Sequence, residues 1–296
     1  MDVSIIIVNY NTVSLLCDAV DSIIEKTKDI EYEIVVVDNN SSDNSENIIV
    51  QKYGNQVIYI KLPENIGFGR ANNEGAKHAK GRNLFLLNPD TILVNNAVKI
   101  LSDYLDNHPK TAVCGGNLYD TEMNPTHSFA RHFFSIFYEI DLCLLNCLSR
   151  IKYGKNINFN HSTKELEVMC IIGADLMLKK NVFEEVKGFD SDFFMYHEEQ
   201  ELCFRVIKKE YKIMSVPDAK IIHLEGKSFS CNLDRLKRHL EARSLFYDKT
   251  RSLFHKRVAN GIYYVSAVAR LMVFGVLNMI KPTQQYQYWK FVVKNI

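Results

Sequence analysis

The sequence lacks a large net charge of either sign, and it lacks the compositional bias of a disordered or fibrous chain. Its 296 residues carry 36 Lys and Arg against 35 Asp and Glu, for a formal net charge of +1. A balanced chain has no global field that attracts nucleic acid, so we expect no nucleic-acid partner and only local binding of anions. Hydrophobic residues make up 47% of the chain and charged residues 24%, which is ordinary globular usage with enough length for one large or two small domains.

The sequence also lacks a disulfide framework and a basic leader. Its seven cysteines form an odd, scattered set at positions 17, 114, 143, 147, 170, 203 and 231, which predicts reduced core thiols in a cytosolic protein. Cys143 and Cys147 lie one helical turn apart, but leucines surround them and no second ligand pair follows, so zinc is not expected. Because an apolar run begins at residue 3 without basic residues before it, secretion is not expected and a cytoplasmic location is predicted.

Short apolar runs alternate with helical patterns over the first hundred residues. The runs predict strands at residues 3–8, 34–37, 57–60 and 84–87. Helices are predicted at residues 15–24, 43–52, 68–80 and 95–107. Continuous β-branched and apolar runs are typical of strands that are buried on both faces of a parallel sheet. The alternation therefore predicts an open α/β sheet with right-handed crossovers, whose ligands bind beyond the carboxyl ends of the strands.

The second part of the chain has a different pattern. Strands are predicted at residues 111–117, 167–173, 212–216 and 220–223, and a helix at 198–209. Residues 121–163 are rich in aromatic residues and Asn and have weak periodicity, which indicates a mobile or helical insertion. Since no repeat or low-complexity linker separates the two parts, we expect them to share one sheet.

The last sixty residues are basic first and apolar afterwards. Residues 234–257 contain eight Lys or Arg against three acids, and residues 262–280 are almost wholly apolar, interrupted by Arg270 and Asn278. An arginine near the middle of a membrane span costs roughly 2.5–3.5 kcal/mol on insertion scales. The pattern, with its flanking tyrosines and tryptophan, fits a helix that lies in the membrane interface. The alternative is a helix packed on the body of the protein or on a second subunit.

Four polar loops follow the predicted strands. They cover residues 8–11, 37–43, 64–73 and 87–90. Asp and Asn are also the best turn and cap residues, so a single loop of this kind would carry little information. Four such loops after successive strands converge on one crevice, which predicts a ligand site there.

Two familiar phosphate motifs fail in this sequence. Gly67-Phe68-Gly69 begins a pattern similar to the dinucleotide fingerprint, but its sixth position is Asn72 and it follows the third strand instead of the first. Gly226-Lys227-Ser228 resembles the end of a P-loop, yet the required earlier glycine falls at Ile221. Neither NAD nor ATP chemistry is predicted.

Together the loops resemble the family 2 glycosyltransferases with the GT-A fold, and most of all their rhamnosyltransferase-like branch. The resemblance is carried in order by Val-Asn-Tyr-Asn (8–11), Val-Asp-Asn-Asn-Ser-Ser-Asp (37–43), Glu-Asn-Ile-Gly-Phe-Gly (64–69), Leu-Asn-Pro-Asp (87–90), Gly-Ala-Asp-Leu-Met (173–177), Glu-Glu-Gln-Glu-Leu-Cys (198–203) and Ile-His-Leu (222–224). It covers roughly residues 3–230. It implies a mostly parallel open sheet flanked by helices, followed by a C-terminal helical extension.

The resemblance also implies a division of the chain. Residues 1–230 would form the glycosyltransferase domain, with a nucleotide-binding half at 1–110 and an acceptor and catalytic half at 111–230. Residues 231–296 lie beyond the resemblance, and their own basic and apolar pattern predicts a helical segment that contacts a membrane surface or completes a homodimer. The predicted location is cytoplasmic. If the C-terminal segment contacts a membrane, we expect peripheral contact at the inner face of the plasma membrane.

A nucleotide-sugar donor must have its base held and its diphosphate neutralised. The nucleotide contacts that the resemblance implies are Asn9, Tyr10, Asp38, Asn40, Asn65, Gly67, Arg70, Asn72 and Asn88. Asp38 would accept a hydrogen bond from the imide N–H of uracil or thymine, a donor that cytosine and adenine lack. Arg70 would pair with phosphate or, in the alternative, remain a solvated surface side chain.

The resemblance implies a divalent metal ion, Mg²⁺ or Mn²⁺. Asn88-Pro89-Asp90 matches the family's Asp-x-Asp motif with its first carboxylate replaced by Asn. One carboxylate plus diphosphate oxygens is sufficient for an octahedral ion that keeps several waters. His223 resembles the family histidine that approaches the same ion, whereas a lone strand histidine is otherwise usually a satisfied core residue.

The resemblance also implies a general base. Glu198 and Glu199 stand where the family places an acidic pair, and the register assigns the base to Glu199, which would take the proton from the acceptor hydroxyl. The alternative is a helix N-terminus that is enriched in acids for reasons of the helix dipole.

The predicted function is therefore that of an inverting glycosyltransferase in bacterial surface polysaccharide synthesis. It would move a sugar, with rhamnose favoured by the resemblance, from a dTDP- or UDP-sugar to a glycan or lipid-linked glycan. Two alternatives stay open. One is the same fold with a glucosyl, galactosyl or galactofuranosyl donor, and the other is a non-catalytic subunit that binds nucleotide sugars.

Overall fold

The computed structural model describes residues 1–224, 232–280 and 284–296. The strands are β1 (Val3–Asn9), β2 (Tyr32–Asp38), β3 (Val57–Lys61), β4 (Asn83–Leu87), β5 (Thr91–Leu93), β6 (Thr111–Tyr119), β7 (Phe129–Ala130), β8 (Leu166–Glu167), β9 (Cys170–Ile171), β10 (Asp175–Lys179) and β11 (Lys212–His223). The helices are α1 (Val13–Lys26), α2 (Ser45–Tyr53), α3 (Phe68–His78), α4 (Ala97–Asn107), α5 (Ile136–Cys143), α6 (Cys147–Tyr153), α7 (Lys180–Glu185), α8 (Glu198–Lys208), α9 (Asn232–Thr250), α10 (Leu253–Ile280) and α11 (Gln284–Asn295).

One sheet joins the two parts of the chain, as the sequence predicts. Its strand order is β3-β2-β1-β4-β10-β6-β11-β5, with β8 paired to β11. The strands β1 to β4 pair in parallel, whereas β10 runs antiparallel between β4 and β6. The predicted parallel arrangement therefore holds for the first half, and the sheet becomes mixed in the second half.

Both faces of the sheet are covered, which explains the continuous apolar runs. Along β1, Ile6 and Val8 belong to one hydrophobic core, whereas Val3, Ile5 and Ile7 belong to the core on the opposite face. Neighbouring side chains of a strand point to opposite faces, so burial on both sides favours apolar residues at successive positions. Five of the seven residues of β1 are apolar, and the two exceptions, Ser4 and Asn9, are buried polar residues.

The strands of the second half differ from the prediction in three ways. The strand predicted at 167–173 is two short strands, β8 and β9, and β10 was not predicted at all. The strands predicted at 212–216 and 220–223 are one strand, β11, whose register against β6 shifts between Ser215 and Lys220. Pro217 lies within that shift. Proline cannot donate a hydrogen bond to a neighbouring strand, so it is tolerated where the regular pairing is interrupted.

The sequence predicts that the insertion at 121–163 is either mobile or helical, and the structure contains helices there. The insertion includes β7, α5 and α6. Arg131, which stands beside His132 in this region, donates to the carbonyl oxygens of Asn156 and Glu167 at 2.9 and 2.7 Å. The first bond connects two stretches of the insertion, and the second connects the insertion to β8.

The C-terminal helices α9, α10 and α11 pack on one another, and α10 also packs on α5. A buried ion pair connects them, since Arg243 of α9 donates to Glu139 of α5 at 2.7 Å and to Asn260 of α10 at 2.8 Å. The boundary predicted at 230/231 and the Gly226-Lys227-Ser228 motif lie outside the described residues.

The cysteines correct one expectation. The six described ones are free thiols, and Cys114, Cys170 and Cys203 are buried as predicted. Cys143 and Cys147 are exposed instead of buried, because they lie at the end of α5 and the start of α6 on the outer surface of the insertion. Within the part of the chain that the structure describes, no group of three or more His, Cys, Asp or Glu side chains is arranged to hold a metal ion.

Candidate active site

The carboxyl ends of β1, β2 and β4 form one edge of the sheet, which we call the carboxyl-end rim. Asn9 and Asp38 are the last residues of β1 and β2 and lie opposite each other in the ladder. Asn9 Nδ2 donates to Asp38 Oδ1 at 2.8 Å, and Asp38 Oδ2 accepts from the Ser41 backbone N–H at 3.0 Å. Both side chains are buried, so these bonds hold the Asp38 carboxylate in one orientation at the rim.

The loop before α3 approaches this pair from the side. Asn39 is buried and connects the two loops: its Oδ1 accepts from the Ile66 N–H at 3.0 Å and its Nδ2 donates to the Gly67 carbonyl at 3.3 Å. Asn65 Oδ1 accepts from the Gly67 N–H at 3.0 Å. Gly67 has φ +89°, and a Cβ there would lie 2.2 Å from the Phe194 carbonyl oxygen. Only glycine permits this close approach.

The remaining predicted nucleotide contacts occupy different positions. Tyr10 is about half exposed, at 49%, directly after β1, and Asn40 is exposed in a left-handed conformation. Asn72 is buried, and its Nδ2 donates to the Phe68 carbonyl within α3 at 3.1 Å. Arg70 donates through Nε to the Ser191 carbonyl at 2.6 Å. The structure thus gives Asn72 and Arg70 protein partners, while Tyr10 and Asn40 face solvent at the rim.

Asp90 lies where the chain crosses the rim. Residues 88–90 connect β4 to β5, and these two strands lie on opposite sides of β10 and β6 in the sheet. Asp90 is buried to 5% exposure, and His223, the last residue of β11, has its Nε2 3.4 Å from Asp90 Oδ1. The Asn88 N–H donates to the Ala174 carbonyl at 3.0 Å.

The pair formed by Asp90 and His223 fits a divalent cation that has other ligands besides protein. Adjacent ligands of an octahedral ion with bonds of about 2.1 Å lie about 3 Å apart, close to the observed 3.4 Å. A carboxylate and an imidazole suit Mn²⁺ well and Mg²⁺ less well. Two protein ligands leave the remaining positions for diphosphate oxygens and waters.

Glu198 and Glu199 begin α8, directly after two residues in the left-handed conformation, Tyr196 and His197. Burial raises the pKa of Glu199 to about 7. Burial, and secondarily the charge of Glu199, raise the pKa of Glu198 well above its ordinary value. Glu198 is buried and Glu199 is partly buried. Two neighbouring carboxyl groups that are shielded from water resist double ionisation, so near neutral pH the pair holds a proton that it can exchange.

A chain of contacts connects Glu199 to the rim. A Cβ on Gly173 would lie 3.9 Å from the Glu199 Cβ, so the Glu199 side chain packs against the turn before β10. Ala174, the next residue in that turn, accepts the bond from Asn88. On the other side, the Phe194 carbonyl accepts from the Phe68 N–H at 3.0 Å. The turn thus joins Glu199 to the 88–90 segment, and Phe194 joins the start of α8 to the loop of Gly67.

Sequence reasoning missed several side chains of this site. Ser45 Oγ accepts from Asn9 Nδ2 at 2.8 Å, and Asn39 connects two loops. Burial, followed by the charge of Asp38, raises the pKa of Tyr59 in β3, which places its hydroxyl near that carboxylate. Asn39 and Ser45 stand within or directly after the loop at 37–43, so the polar composition of that loop was the available signal. Tyr59 lies within an apolar strand and gave none.

Comparisons with known proteins agree with this fold. The Glycosyl transferase family 2 model matches residues 4–187, which is more than half of the chain. The chain therefore belongs to glycosyl transferase family 2, and residues 4–187 form its glycosyltransferase domain.

Three similar proteins illustrate the relationship. The minor teichoic acid biosynthesis protein GgaB of Bacillus subtilis is 34% identical over 203 residues, which cover 64% of this chain and 22% of GgaB. The rhamnosyltransferase WbbL of Escherichia coli is 23% identical over 248 residues, covering 77% of this chain and 90% of WbbL. The crystal structure of GalNAc-T7 with UDP, GalNAc and Mn²⁺ superposes with a TM-score of 0.64 at 18% identity, covering 84% of this chain and 48% of that one. The likeness to this structure confirms the GT-A fold.

Proposed function

We propose that the chain is an inverting, metal-dependent hexosyltransferase in bacterial surface polysaccharide synthesis. Its donor would be a dTDP- or UDP-sugar, with rhamnose as the favoured sugar, and its acceptor a glycan or lipid-linked glycan. The observation that supports the proposal is the series of contacts that links the segments of Asp38, Asp90 and Glu199. Asn39 joins the Asp38 loop to the loop of Gly67, the Phe194 carbonyl joins that loop to the start of α8, and the turn at 173–174 joins Glu199 to residues 88–90. The likeness to GgaB and WbbL supports an envelope polysaccharide as the product.

Donor recognition would begin at Asp38. Its carboxylate is oriented by Asn9 and by the Ser41 N–H, and each carboxylate oxygen can accept a further hydrogen bond. An imide N–H of uracil or thymine is a matching donor, and the exposed ring of Tyr10 offers a face on which the base can stack. Adenine and cytosine present an acceptor at that position and would leave the carboxylate opposed by a lone pair.

Asp90 and His223 would hold Mg²⁺ or Mn²⁺ together with the diphosphate of the donor. When bound, such an ion supplies positive charge to the departing nucleoside diphosphate. The structurally similar GalNAc-T7, which was crystallised with UDP, GalNAc and Mn²⁺, supports this assignment.

Glu199 would act as the general base. Its carboxylate takes the proton of the acceptor hydroxyl while that oxygen forms a bond to the anomeric carbon. The bond between the anomeric carbon and the diphosphate oxygen breaks, and the electron pair leaves with the nucleoside diphosphate. One base and one in-line displacement give inversion at the anomeric carbon, and a pKa near the operating pH suits this task.

A panel of sugar nucleotides tests the proposal. We expect the chain with Mn²⁺ to bind UDP or dTDP, and to hydrolyse slowly one of dTDP-rhamnose, UDP-glucose, UDP-galactose and UDP-galactofuranose. Binding without hydrolysis of any donor, and without transfer to any added glycan, would favour the non-catalytic alternative. Tighter binding of an adenosine or cytidine diphosphate would contradict the role of Asp38.

We also propose that α10 lies on an anionic membrane surface. This helix is, among the described residues, the one long and apolar enough to cross a membrane, and only 11% of its most apolar window is buried. Its outward side chains include Val265, Met272, Val273 and Val276. Arg270 points the other way, since it donates to the Leu142 carbonyl at 2.7 Å.

The charge of the surrounding surface favours a lipid layer as the partner of α10. Residues 251–296 contain seven Lys or Arg and no Asp or Glu, and residues 142–164 contain four Lys or Arg and no acid. An apolar helix face bordered by basic residues binds the interface of anionic lipids. Because Arg270 contacts protein, the helix keeps this arginine out of the hydrocarbon.

A further inference from the structure

A large cavity lies between α5, α9, α10 and α11, outside the carboxyl-end rim. Its volume is about 960 Å³, near the upper end of the roughly 300–1,000 Å³ that is usual for small-molecule sites. Aromatic and leucine side chains form most of its wall, including Tyr263 and Trp289. None of the functional residues predicted from the sequence lines it.

The cavity is positively charged. Its described charged side chains are three arginines, Arg235, Arg243 and Arg270, and one acid, Glu139. Burial and nearby positive charge lower the pKa of His197, another lining residue, to about 3, so this imidazole is neutral at pH 7. The lining therefore has a net positive charge of +2 at neutral pH.

Several polar groups of the wall are fixed in place. Arg243 is buried, and its guanidinium lies 4.4 Å from the centroid of the Tyr263 ring. Arg270 lies 4.9 Å from the centroid of Trp289. The indole Nε1 of Trp289 and the Glu139 Oε2 are buried and have no hydrogen-bond partner in the described part of the chain. Buried polar groups are normally satisfied, so the Trp289 donor favours a ligand with an acceptor oxygen.

The wall between the cavity and the candidate active site is the segment 194–197. On one side its Phe194 carbonyl binds the Phe68 N–H. On the other side Tyr196 stacks on His239 of α9 at a centroid distance of 3.7 Å, and His197 lines the cavity. Glu198 and Glu199 follow directly, so a molecule in the cavity lies within a few residues of the candidate base.

We propose that this cavity binds the phosphate-bearing, apolar end of the acceptor, with the phosphate oxygens near the arginines and the chain along the aromatic and leucine wall. This inference rests on the proposed glycosyltransferase function for the role of the ligand as an acceptor. The ligand class follows from the lining: arginines match phosphate oxygens, whereas the apolar wall requires a hydrocarbon portion. The opposite face of α10 would rest on the membrane from which such an amphiphile is drawn.

Direct binding of dodecyl phosphate tests the site. Trp289 is the only tryptophan of the chain and lines the cavity, so its fluorescence reports occupancy. We expect a saturable change with dodecyl phosphate below its micelle concentration. Inorganic phosphate and uncharged dodecyl maltoside should each bind at least tenfold more weakly. Equal binding of inorganic phosphate would indicate a free-anion site, and equal binding of dodecyl maltoside would indicate a purely apolar one; either result overturns the proposal.

Two substitutions test the location, with a matched control. Arg235 is exposed at the cavity wall, and Arg235→Gln should weaken dodecyl phosphate binding five- to tenfold. Gln287→Trp introduces bulk at another exposed lining position and should weaken it at least as much. Because this variant adds a second indole, its binding is measured by calorimetry. Lys237→Gln removes the same charge from the same helix at a position outside the lining, and should stay within twofold of the unsubstituted chain.

The outcomes separate this inference from the proposed function. If Arg235→Gln and Gln287→Trp both bind dodecyl phosphate like the unsubstituted chain, the cavity is not the site. Donor binding is measured separately with UDP or dTDP and Mn²⁺. If the chain binds dodecyl phosphate but no nucleotide, the cavity proposal is supported and the proposed function is contradicted. If the chain binds nucleotide but no dodecyl phosphate, the proposed function is supported and the cavity proposal is contradicted.

Discussion

Glu199 occupies a position in which a carboxyl group is useful near neutral pH. An exposed glutamate is fully ionised at pH 7 and is a weak base, whereas burial raises the pKa of Glu199 to about 7. Burial, and secondarily the charge of Glu199, also raise the pKa of Glu198 well above its ordinary value, and its side chain is 5% exposed. The pair of carboxyl groups can therefore exchange a proton near pH 7.

Replacing Glu199 tests the base directly. Glu199→Gln should lower the turnover number by about 100-fold or more, the usual contribution of a general base, while donor affinity stays within a few-fold. In the unsubstituted enzyme only the deprotonated carboxylate accepts a proton, so the rate should rise with pH through about 7, and the variant should lack this rise. Steady-state rates between pH 5.5 and 8.5, with donor binding by calorimetry, make the measurement. Unchanged turnover in the variant would remove Glu199 from the role.

The pair of Asp90 and His223 predicts a metal-dependent donor affinity. Asp90→Ala removes one of the two proposed protein ligands, so the gain in UDP affinity that Mn²⁺ produces should fall about tenfold or more. Calorimetric titration of UDP with and without Mn²⁺ measures this gain. Asp103→Ala is the matched control, because Asp103 is on the surface of α4 and pairs with Lys99. An identical Mn²⁺ response in Asp90→Ala and the control would exclude Asp90 as a ligand.

At the scale of elements, the loop before α3 depends on one close approach of two backbones. Gly67 contacts the Phe194 carbonyl, and the neighbouring Phe68 N–H binds the same oxygen. The contact therefore joins the nucleotide half of the chain to the segment that precedes α8. A side chain at position 67 would push the two halves apart.

Two alanine substitutions separate the clash from backbone strain. Gly67 and Gly154 both have positive φ, +89° and +58°, but a Cβ on Gly154 would have no atom within 4 Å. Gly154→Ala should cost about 1–2 kcal/mol of unfolding free energy through the left-handed backbone alone. Gly67→Ala should cost a further 1–3 kcal/mol or so, typical of overpacking. Urea unfolding of both variants measures the two losses of unfolding free energy. Equal losses would show that the backbone at Phe194 moves aside without any loss of stability.

At the scale of the whole molecule, the charges are balanced in sum but not in space. The formal net charge is +1, yet residues 251–296 contribute seven Lys or Arg without any acid. The rest of the chain must therefore have an excess of acids. A molecule with this asymmetry orients toward a negatively charged surface with its C-terminal helices first.

Vesicle binding tests this orientation. The chain should bind phosphatidylglycerol vesicles at least about tenfold more tightly than phosphatidylcholine vesicles, with affinity that falls as salt rises. Val276→Glu places a charge on the outward face of α10 and should abolish binding. Val50→Glu is the control on α2, where Val50 is similarly exposed (52% against 61%). Co-sedimentation measures binding; equal affinity for both lipids, or a dimer in solution that Val276→Glu dissociates without any vesicle binding, would contradict the membrane proposal.

The sequence by itself determined the first half of the fold and the order of the polar loops. Strands β1 to β4 require apolar residues at nearly every position. Apolar runs such as residues 3–8 therefore indicate these buried strands without tertiary information. Asn9 and Asp38 stand at strand ends, where parallel strands in register bring them together. Local chemistry and the geometry of a parallel sheet are sufficient for such predictions, and the family assignment followed from their order.

Only the tertiary structure decided which distant groups meet. The strand β10 is five residues long and lies inside a motif, so nothing in its own sequence marked its antiparallel insertion between β4 and β6. The cavity gathers Glu139, His197, Arg243 and Trp289 from four separate segments. The direction of Arg270 depends on the carbonyl of Leu142, 128 residues away. Such contacts depend on how complete helices pack, and no local pattern of residues encodes that packing.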